Sequence, residues 1–271
     1  MQQNLTWLTT SIYCSRTTWH KVLEEGIKPF LLKNKYCSYR LEFNYLSGEN
    51  IRFSLQVPSE SAEIIAKKAD LYFKNYFLNS KLPNTIIKMP LDGLFLPFPT
   101  NTIQYGLYKI LNHKEDFSYN FIAKYISDLM LELLIEDEVN EETIITFALY
   151  LHVGFLRVGL LKNKEIILQF YIEQSKFSNA DLDENLLNIK VEDNKQILRA
   201  LYQEIICKDR IEVYRDSPWL EHWIRLLEDS IRDSSFAFSL DKITNLIDRH
   251  LGVNDNMKRL LYDFIIKMLL Q

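Results

Sequence analysis

The hydrophobic repeat of this 271-residue chain changes once, and that change limits the folds open to it. Before residue 115, apolar and polar residues alternate in short runs, which is the two-residue period of β-strands. After residue 117, apolar residues recur every three or four positions over long segments, which is the period of amphipathic helices. We therefore predict an α/β sheet lobe over 1–115 and a helical lobe over 116–271, joined as one integrated domain.

The first lobe reads as six elements in the order βαββαβ. The predicted strands and helices lie at 5–15, 17–32, 36–45, 50–57, 59–78 and 102–109, with a turn at Ser47, Gly48 and Glu49. This order predicts an α+β fold in which a split βαβ unit of ferredoxin-like type precedes a mainly helical lobe. The acidic, polar segment 178–193 is predicted to form a mobile loop between helices.

Composition argues against several classes of protein. A net charge of −4 offers no general attraction to nucleic acid, and no apolar run is long enough to predict a membrane span or a secretion signal. The three cysteines lack CxxC spacing, and the seven glycines form no phosphate-binding motif. We therefore expect a cytoplasmic protein without bound metal, flavin or nicotinamide.

Two side chains, Arg52 and His250, stand out as candidates for chemistry. Arg52 interrupts an apolar strand, so it projects from the opposite face, either as a surface arginine or as a fork of donors for a carboxylate. His250 ends a helical run, where a histidine complements the helix dipole or transfers protons. His152 lies within an apolar helix, where a core or interface role is the ordinary expectation.

Short segments spread over nearly the whole chain occur in an order that a known family shares. They are Trp7, Ile27-Lys28-Pro29-Phe30-Leu31, Leu41-Glu42-Phe43-Asn44-Tyr45, Gly48, Ile51-Arg52-Phe53, Asn101-Thr102-Ile103-Gln104-Tyr105-Gly106, Ile126-Ser127-Asp128 and His250-Leu251-Gly252-Val253-Asn254. Together they resemble the elimination domain of class I lanthipeptide dehydratases and the related stand-alone thiopeptide-type bacteriocin biosynthesis proteins.

The resemblance implies modification of a ribosomally synthesised precursor peptide. A separate glutamylating lanthipeptide dehydratase subunit would glutamylate Ser or Thr, and this chain would eliminate glutamate to leave a dehydroamino acid. Arg52 and His250 match the family's arginine and histidine and are the implied catalytic residues. The implied substrate-binding residues are Glu42, Asn50, Tyr105 and Asn254.

Several differences from the family keep other functions open. Asn50 and Ser54 stand where the family commonly has histidine and arginine, and Glu42 stands where arginine is usual. A related pyridine synthase, which joins two dehydroalanines, would use Tyr105, Glu42 and Arg52 as acid and hydrogen-bonding groups. A non-catalytic subunit would instead bind a leader peptide by adding it to a sheet edge. For a catalytic role, we expect Arg52, Tyr105 and His250 to face one cleft.

Overall fold

The protein is described from a computed structural model, which covers residues 4–36, 38–45, 47–83, 98–106, 117–136, 138–160, 163–177, 184–207, 217–231 and 236–270. The chain divides into two compact units, Met1–Asn140 and Glu141–Gln271. The division therefore falls later than the predicted boundary near residue 115. The reason is a helix of the first unit, which packs against the sheet and is described below.

The first unit contains a four-stranded antiparallel sheet. Its strands are β1 (Leu5–Tyr13), β2 (Tyr39–Asn44), β3 (Asn50–Pro58) and β4 (Thr102–Tyr105), in the spatial order β2-β3-β1-β4. Together with the helices between them, this order is that of the predicted split βαβ unit, so the α+β prediction is confirmed. The predicted continuation of the last strand, 107–109, lies outside the described residues.

Helices cover one face of this sheet. They are α1 (Trp19–Lys21), a π-helical segment (Val22–Ile27), α2 (Lys28–Asn34) and α3 (Ala62–Asn79). Trp19 stacks on Phe43 with ring centroids 4.2 Å apart, and Phe73 meets Phe53 edge-on at 6.1 Å. Aromatic contacts of this kind contribute about 0.5–1.5 kcal/mol each beyond area burial. This covered side is the apolar face of the sheet.

A fourth helix, α4 (Phe117–Leu133), lies against the edge strand β2. The backbone N–H of Leu41 donates to Ser127 Oγ at 3.0 Å, and that hydroxyl donates in turn to the Ala123 carbonyl at 2.8 Å. A side chain of α4 thus occupies a donor that an exposed sheet edge would offer to another strand.

The second unit is a bundle of helices. They are α5 (Glu141–Leu160), α6 (Lys164–Phe177), α7 (Glu184–Asp193), α8 (Lys195–Leu201), a π-helical segment (Tyr202–Cys207), α9 (Pro218–Ile231), α10 (Phe236–Leu251) and α11 (Asp255–Leu269). The prediction of a mobile loop over 178–193 is wrong for α7, where Leu187 and Val191 pack inward despite the polar composition. Residues 178–183 lie outside the described part of the chain.

Helix α5 forms the centre of the bundle and contacts α6, α9, α10 and α11. By length and composition it is apolar enough to cross a membrane, but 67% of its most apolar window is buried inside the structure. A helix at the centre of a bundle is hydrophobic on all sides, because each side packs against another helix.

Gly154 in α5 provides a test of this packing. A Cβ at this position would lie 2.7 Å from Trp223 Cδ1. The Trp223 ring is fully buried and donates its indole N–H to the Leu151 carbonyl at 2.9 Å, so it cannot move without losing that bond. In an open helical site, Gly→Ala stabilises by about 1 kcal/mol. Here we expect Gly154→Ala to lower the free energy of unfolding by about 1–3 kcal/mol.

Chemical denaturation followed by circular dichroism measures this change. The control is Thr146→Ala at an exposed position of the same helix, which we expect to raise stability by about 0.5 kcal/mol through helix propensity. A Gly154→Ala protein as stable as the wild type would contradict the described packing of α5 against α9.

Candidate active site on the polar face of the sheet

Strand pairing aligns four polar side chains in one row across the sheet. Glu42 lies opposite Arg52, Arg52 opposite Ser11, and Ser11 opposite Gln104. Directly paired residues project to the same side, and the next row on that side contains Arg40, Ser54 and Thr9. We call this side the polar face of the sheet. It is opposite the apolar face, as the position of Arg52 between two apolar neighbours predicted.

The polar face is largely withdrawn from solvent. Ser11, Glu42, Asn50 and Ser54 are each 6% exposed or less, and Arg40 is 8% exposed. Buried polar groups cost free energy unless they are paired. Here Thr9 and Ser54 share a hydrogen bond of 3.0 Å, Arg40 lies over the Trp7 ring at 4.4 Å and contacts Asn120, and Asn50 donates to the Gly48 carbonyl at 2.8 Å.

An ion pair occupies the middle of the polar row. Arg52 Nη1 lies 3.5 Å from Glu42 Oε2, and the two side chains are 14% and 8% exposed. A charge pair so far from water interacts more strongly than a surface pair, because solvent screens it less. Glu42 therefore offsets part of the charge of the Arg52 guanidinium.

Tyr105 does not join this row. It pairs with Thr10, which in turn faces Phe53, so its side chain lies on the apolar face. Its hydroxyl donates to the Ala66 carbonyl in α3 at 3.0 Å. Burial, followed by the charge of Asp70, raises the pKa of the Tyr105 hydroxyl, which keeps it protonated. The expectation that Tyr105 and Arg52 face one cleft is therefore wrong, because the strand register separates them.

His250 and Asn254 lie at a turn in the second unit. Helix α10 ends in a Schellman motif, in which Val253 N–H donates to the Asp248 carbonyl at 2.8 Å and Gly252 adopts φ +64°. Asn254 caps α11, because its Oδ1 accepts from the Met257 N–H at 3.0 Å. His250 is 1% exposed in the last turn of α10. Arg52 and His250 thus belong to different units, and their shared cleft stays a prediction.

A buried polar network in the second unit escaped sequence reasoning. His152 Nδ1 lies 2.9 Å from the Tyr171 hydroxyl, and Nε2 lies 3.1 Å from Asp248 Oδ1. The Tyr262 hydroxyl donates to Asp248 Oδ2 at 2.7 Å. Burial and the Asp248 charge raise the pKa values of both tyrosines. The four residues come from four helices, so no local sequence motif predicts that they meet. The one signal in the sequence was a histidine within an apolar helix. We call them the His152 network.

The described residues contain no group of three or more His, Cys, Asp or Glu side chains placed to hold a metal ion. The absence of a metal or other cofactor stays a prediction. The polar face offers hydrogen-bonding side chains and the Glu42–Arg52 charge pair.

Comparisons with known proteins place the fold. No family model matches the chain, and no curated protein matches its sequence. Among solved structures, the chain resembles the pyridine synthase TbtD from thiomuracin biosynthesis, with a TM-score of 0.69 and 15% sequence identity over 97% of each chain. At this identity, the likeness shows a shared fold over nearly the whole length. The narrower resemblance to the dehydratase elimination domain is not shown by these comparisons.

The Glu42–Arg52 pair yields a measurable prediction. We expect Arg52→Met to lower the free energy of unfolding by about 3 kcal/mol, because it removes the cation beside a carboxylate that is only 8% exposed. The double variant Glu42→Met/Arg52→Met should lose less than the sum of the single variants, by about 1–3 kcal/mol. A double-mutant cycle in urea measures this coupling.

The control cycle uses Glu63 and Lys67 on α3, a pair with side chains 79% and 75% exposed. Its coupling should be about 0.3–0.5 kcal/mol, as for other exposed pairs one helical turn apart. If the two cycles give equal couplings, the Glu42–Arg52 pair is solvent-screened and the polar face is open to water.

Proposed function

We propose that this protein modifies a ribosomally synthesised precursor peptide by joining two dehydroalanines into a pyridine ring. The supporting observation is the fold, which the chain shares over 97% of its length with a pyridine synthase from thiopeptide biosynthesis. The charge balance of the polar face favours this reaction over glutamate elimination. The precursor peptide is then the principal partner, and a glutamylating subunit acts upstream of this chain.

Glutamate elimination requires cations for a leaving group that carries two carboxylates. On the polar face, Arg52 is paired with Glu42, while Arg40 stacks on Trp7. A ligand carboxylate placed 4 Å from Glu42 is repelled by about 4 kcal/mol at an effective dielectric constant of about 20. At the same distance and dielectric constant, the Arg52 guanidinium attracts that carboxylate by about the same 4 kcal/mol, so Glu42 offsets most of the attraction that Arg52 offers. This offset favours a substrate without a carboxylate at that position.

A dehydroalanine-containing peptide is such a substrate. When two dehydroalanines form a pyridine, two carbon–carbon bonds are made, and a backbone nitrogen and its neighbouring carbonyl carbon enter the ring. The carbonyl oxygen then leaves as water, and the N-terminal peptide segment leaves as an amide, so no oxidant is needed. Both departures require a proton, and the first is promoted by a donor that polarises the carbonyl oxygen.

We assign the donor to the guanidinium of Arg52, held in place by Glu42. Asn50 and Ser11 lie on the same face, but both are almost fully buried and Asn50 donates to the Gly48 carbonyl, so we assign them to the support of Arg52. His250 stays our candidate for proton transfer, on the strength of the sequence resemblance. Asn254 is engaged as a helix cap, and Tyr105 as a donor to α3, so both are assigned structural roles here.

The binding-subunit alternative loses support at β2. Leader-peptide uptake by strand addition needs an unpaired sheet edge. Ser127 of α4 already accepts from the Leu41 N–H on the β2 edge, and β4 spans only Thr102–Tyr105. A peptide added to β4 would therefore gain few backbone hydrogen bonds within the part of the sheet that the structure describes.

The direct test offers the purified protein two substrates in parallel. One is a synthetic precursor peptide that contains two dehydroalanines, and the other is the same peptide glutamylated on serine. We expect the first to develop pyridine absorbance and to lose water and its N-terminal segment by mass spectrometry. Release of glutamate from the second without any pyridine would establish elimination instead. Peptide binding without either product would support the binding-subunit alternative.

Two substitutions on the polar face test the assigned roles. Arg52→Lys keeps the charge but removes the planar fork of donors, so we expect pyridine formation to fall by about 10²-fold or more. Glu42→Gln removes the negative charge beside Arg52 and should lower activity while improving binding of a carboxylate-bearing peptide. The control is Arg225→Lys, since Arg225 pairs with Glu221 on the exposed side of α9. Equal activity of Arg52→Lys and Arg225→Lys would exclude a catalytic role for Arg52.

His250→Ala tests the residue carried over from the resemblance. Losing a positioned acid or base typically costs about 10²–10⁴ in rate. We expect a loss in this range, measured as initial rate of pyridine formation beside a thermal melt. Wild-type rates in a folded His250→Ala protein would remove His250 from the mechanism and leave the role of Arg52 untouched.

A further inference from the structure

The His152 network uses every hydrogen that its members can donate. An ionised Asp248 only accepts hydrogen bonds, so the His152 Nε2–H must donate to its Oδ1. His152 Nδ1 is then an acceptor for the Tyr171 hydroxyl, and the Tyr262 hydroxyl donates to Asp248 Oδ2. Lys258 Nζ lies 3.5 Å from the same oxygen and balances the carboxylate charge. With Asp248 ionised and His152 neutral, the network has this one consistent arrangement, which fixes the tautomer and the ring orientation of His152.

Stability alone does not account for this network. His152, Tyr171 and Tyr262 are fully buried and Asp248 is 6% exposed, so all four give up hydration. Well-packed apolar side chains at such sites are often equally or more stabilising, whereas polar networks define one geometry. The network joins α5, α6, α10 and α11, and therefore fixes the position of one helix turn relative to three neighbouring helices.

That turn is the one that carries His250. Asp248 anchors it twice, through its side chain to His152 and Tyr262, and through its carbonyl to the Val253 N–H. His250 follows two residues later, which places it about 200° around the helix axis, on the other side of the turn from Asp248. A network that holds one side of the turn also sets the direction of the residue on its opposite side.

We propose that the His152 network is a positioning device for His250, with Asp248 as its central residue. The part of the inference that concerns catalysis rests on the proposed function. The part that concerns the geometry of His250 does not, and it is measured separately.

The chain supplies a matched control. Asp263 on α11 accepts from the Ser175 hydroxyl at 2.7 Å and from Arg259 Nε at 3.2 Å, so these two hydrogen bonds join α6 and α11. Asp263→Asn is therefore the same chemical change as Asp248→Asn in a neighbouring network. Tyr262→Phe is a second, milder variant that removes one hydroxyl. It keeps the proposal testable if the Asp248→Asn protein does not fold.

The structural readout is nuclear magnetic resonance of the protein with ¹⁵N-labelled histidine rings, in which the His250 signals are assigned by their loss in His250→Ala. We expect Asp248→Asn and Tyr262→Phe to shift the His250 ring signals and Asp263→Asn to leave them in place. Unchanged His250 signals in both network variants would overturn the proposal. This readout needs no substrate, so it decides the proposal even if the wild type forms no pyridine.

The catalytic readout is the rate of pyridine formation with the dehydroalanine peptide. We expect Asp248→Asn to lose about 10–10²-fold through misplacement of His250, and Asp263→Asn to lose less than about 2-fold. In a His250→Ala background, Asp248→Asn should cause no further loss, because its effect passes through the missing ring. An equal loss in both backgrounds, or a lowered melting temperature with an unchanged rate, would show a purely structural network.

Discussion

The pairing of β3 with both β1 and β2 determines the side on which each side chain of the sheet lies. Because side chains alternate along a strand, one register assigns Phe43 and Phe53 to the helix-covered face and Glu42 and Arg52 to the other. A slip of one residue would bury the ion pair against α2 and α3. A change of register would disrupt both the aromatic packing and the polar face. The aromatic contacts therefore also keep Glu42 and Arg52 on the polar face.

Each unit contains buried charged groups that are paired away from water. In the first unit, Glu42 pairs with Arg52, one of the two arginines of the polar face, while Arg40 lies over the Trp7 ring. In the second unit, the His152 network connects four helices through hydrogen bonds of 2.7–3.1 Å. In a low dielectric, such groups are worth more when paired and cost more when unpaired. Substitutions there should therefore affect geometry as well as stability.

Sequence patterns predicted the local structure around the candidate residues well. The position of Arg52 between Ile51 and Phe53 predicted its face, and Gly252 after His250 predicted the end of α10. The prediction that Tyr105 shares a cleft with Arg52 was wrong. The two residues belong to strands separated by β1, and their relative side depends on two registers that alternation within each strand does not specify.

The sequence by itself determined the α+β class, the order of the elements and the ends of most helices, because these depend on repeats and turn residues that act over a few positions. Only the tertiary structure decided that Glu42 neutralises Arg52, that Tyr105 bonds to α3, and that His152 joins Asp248 across 96 residues of chain. Such contacts depend on which elements become neighbours. Long-range packing decides that, and no local pattern encodes it.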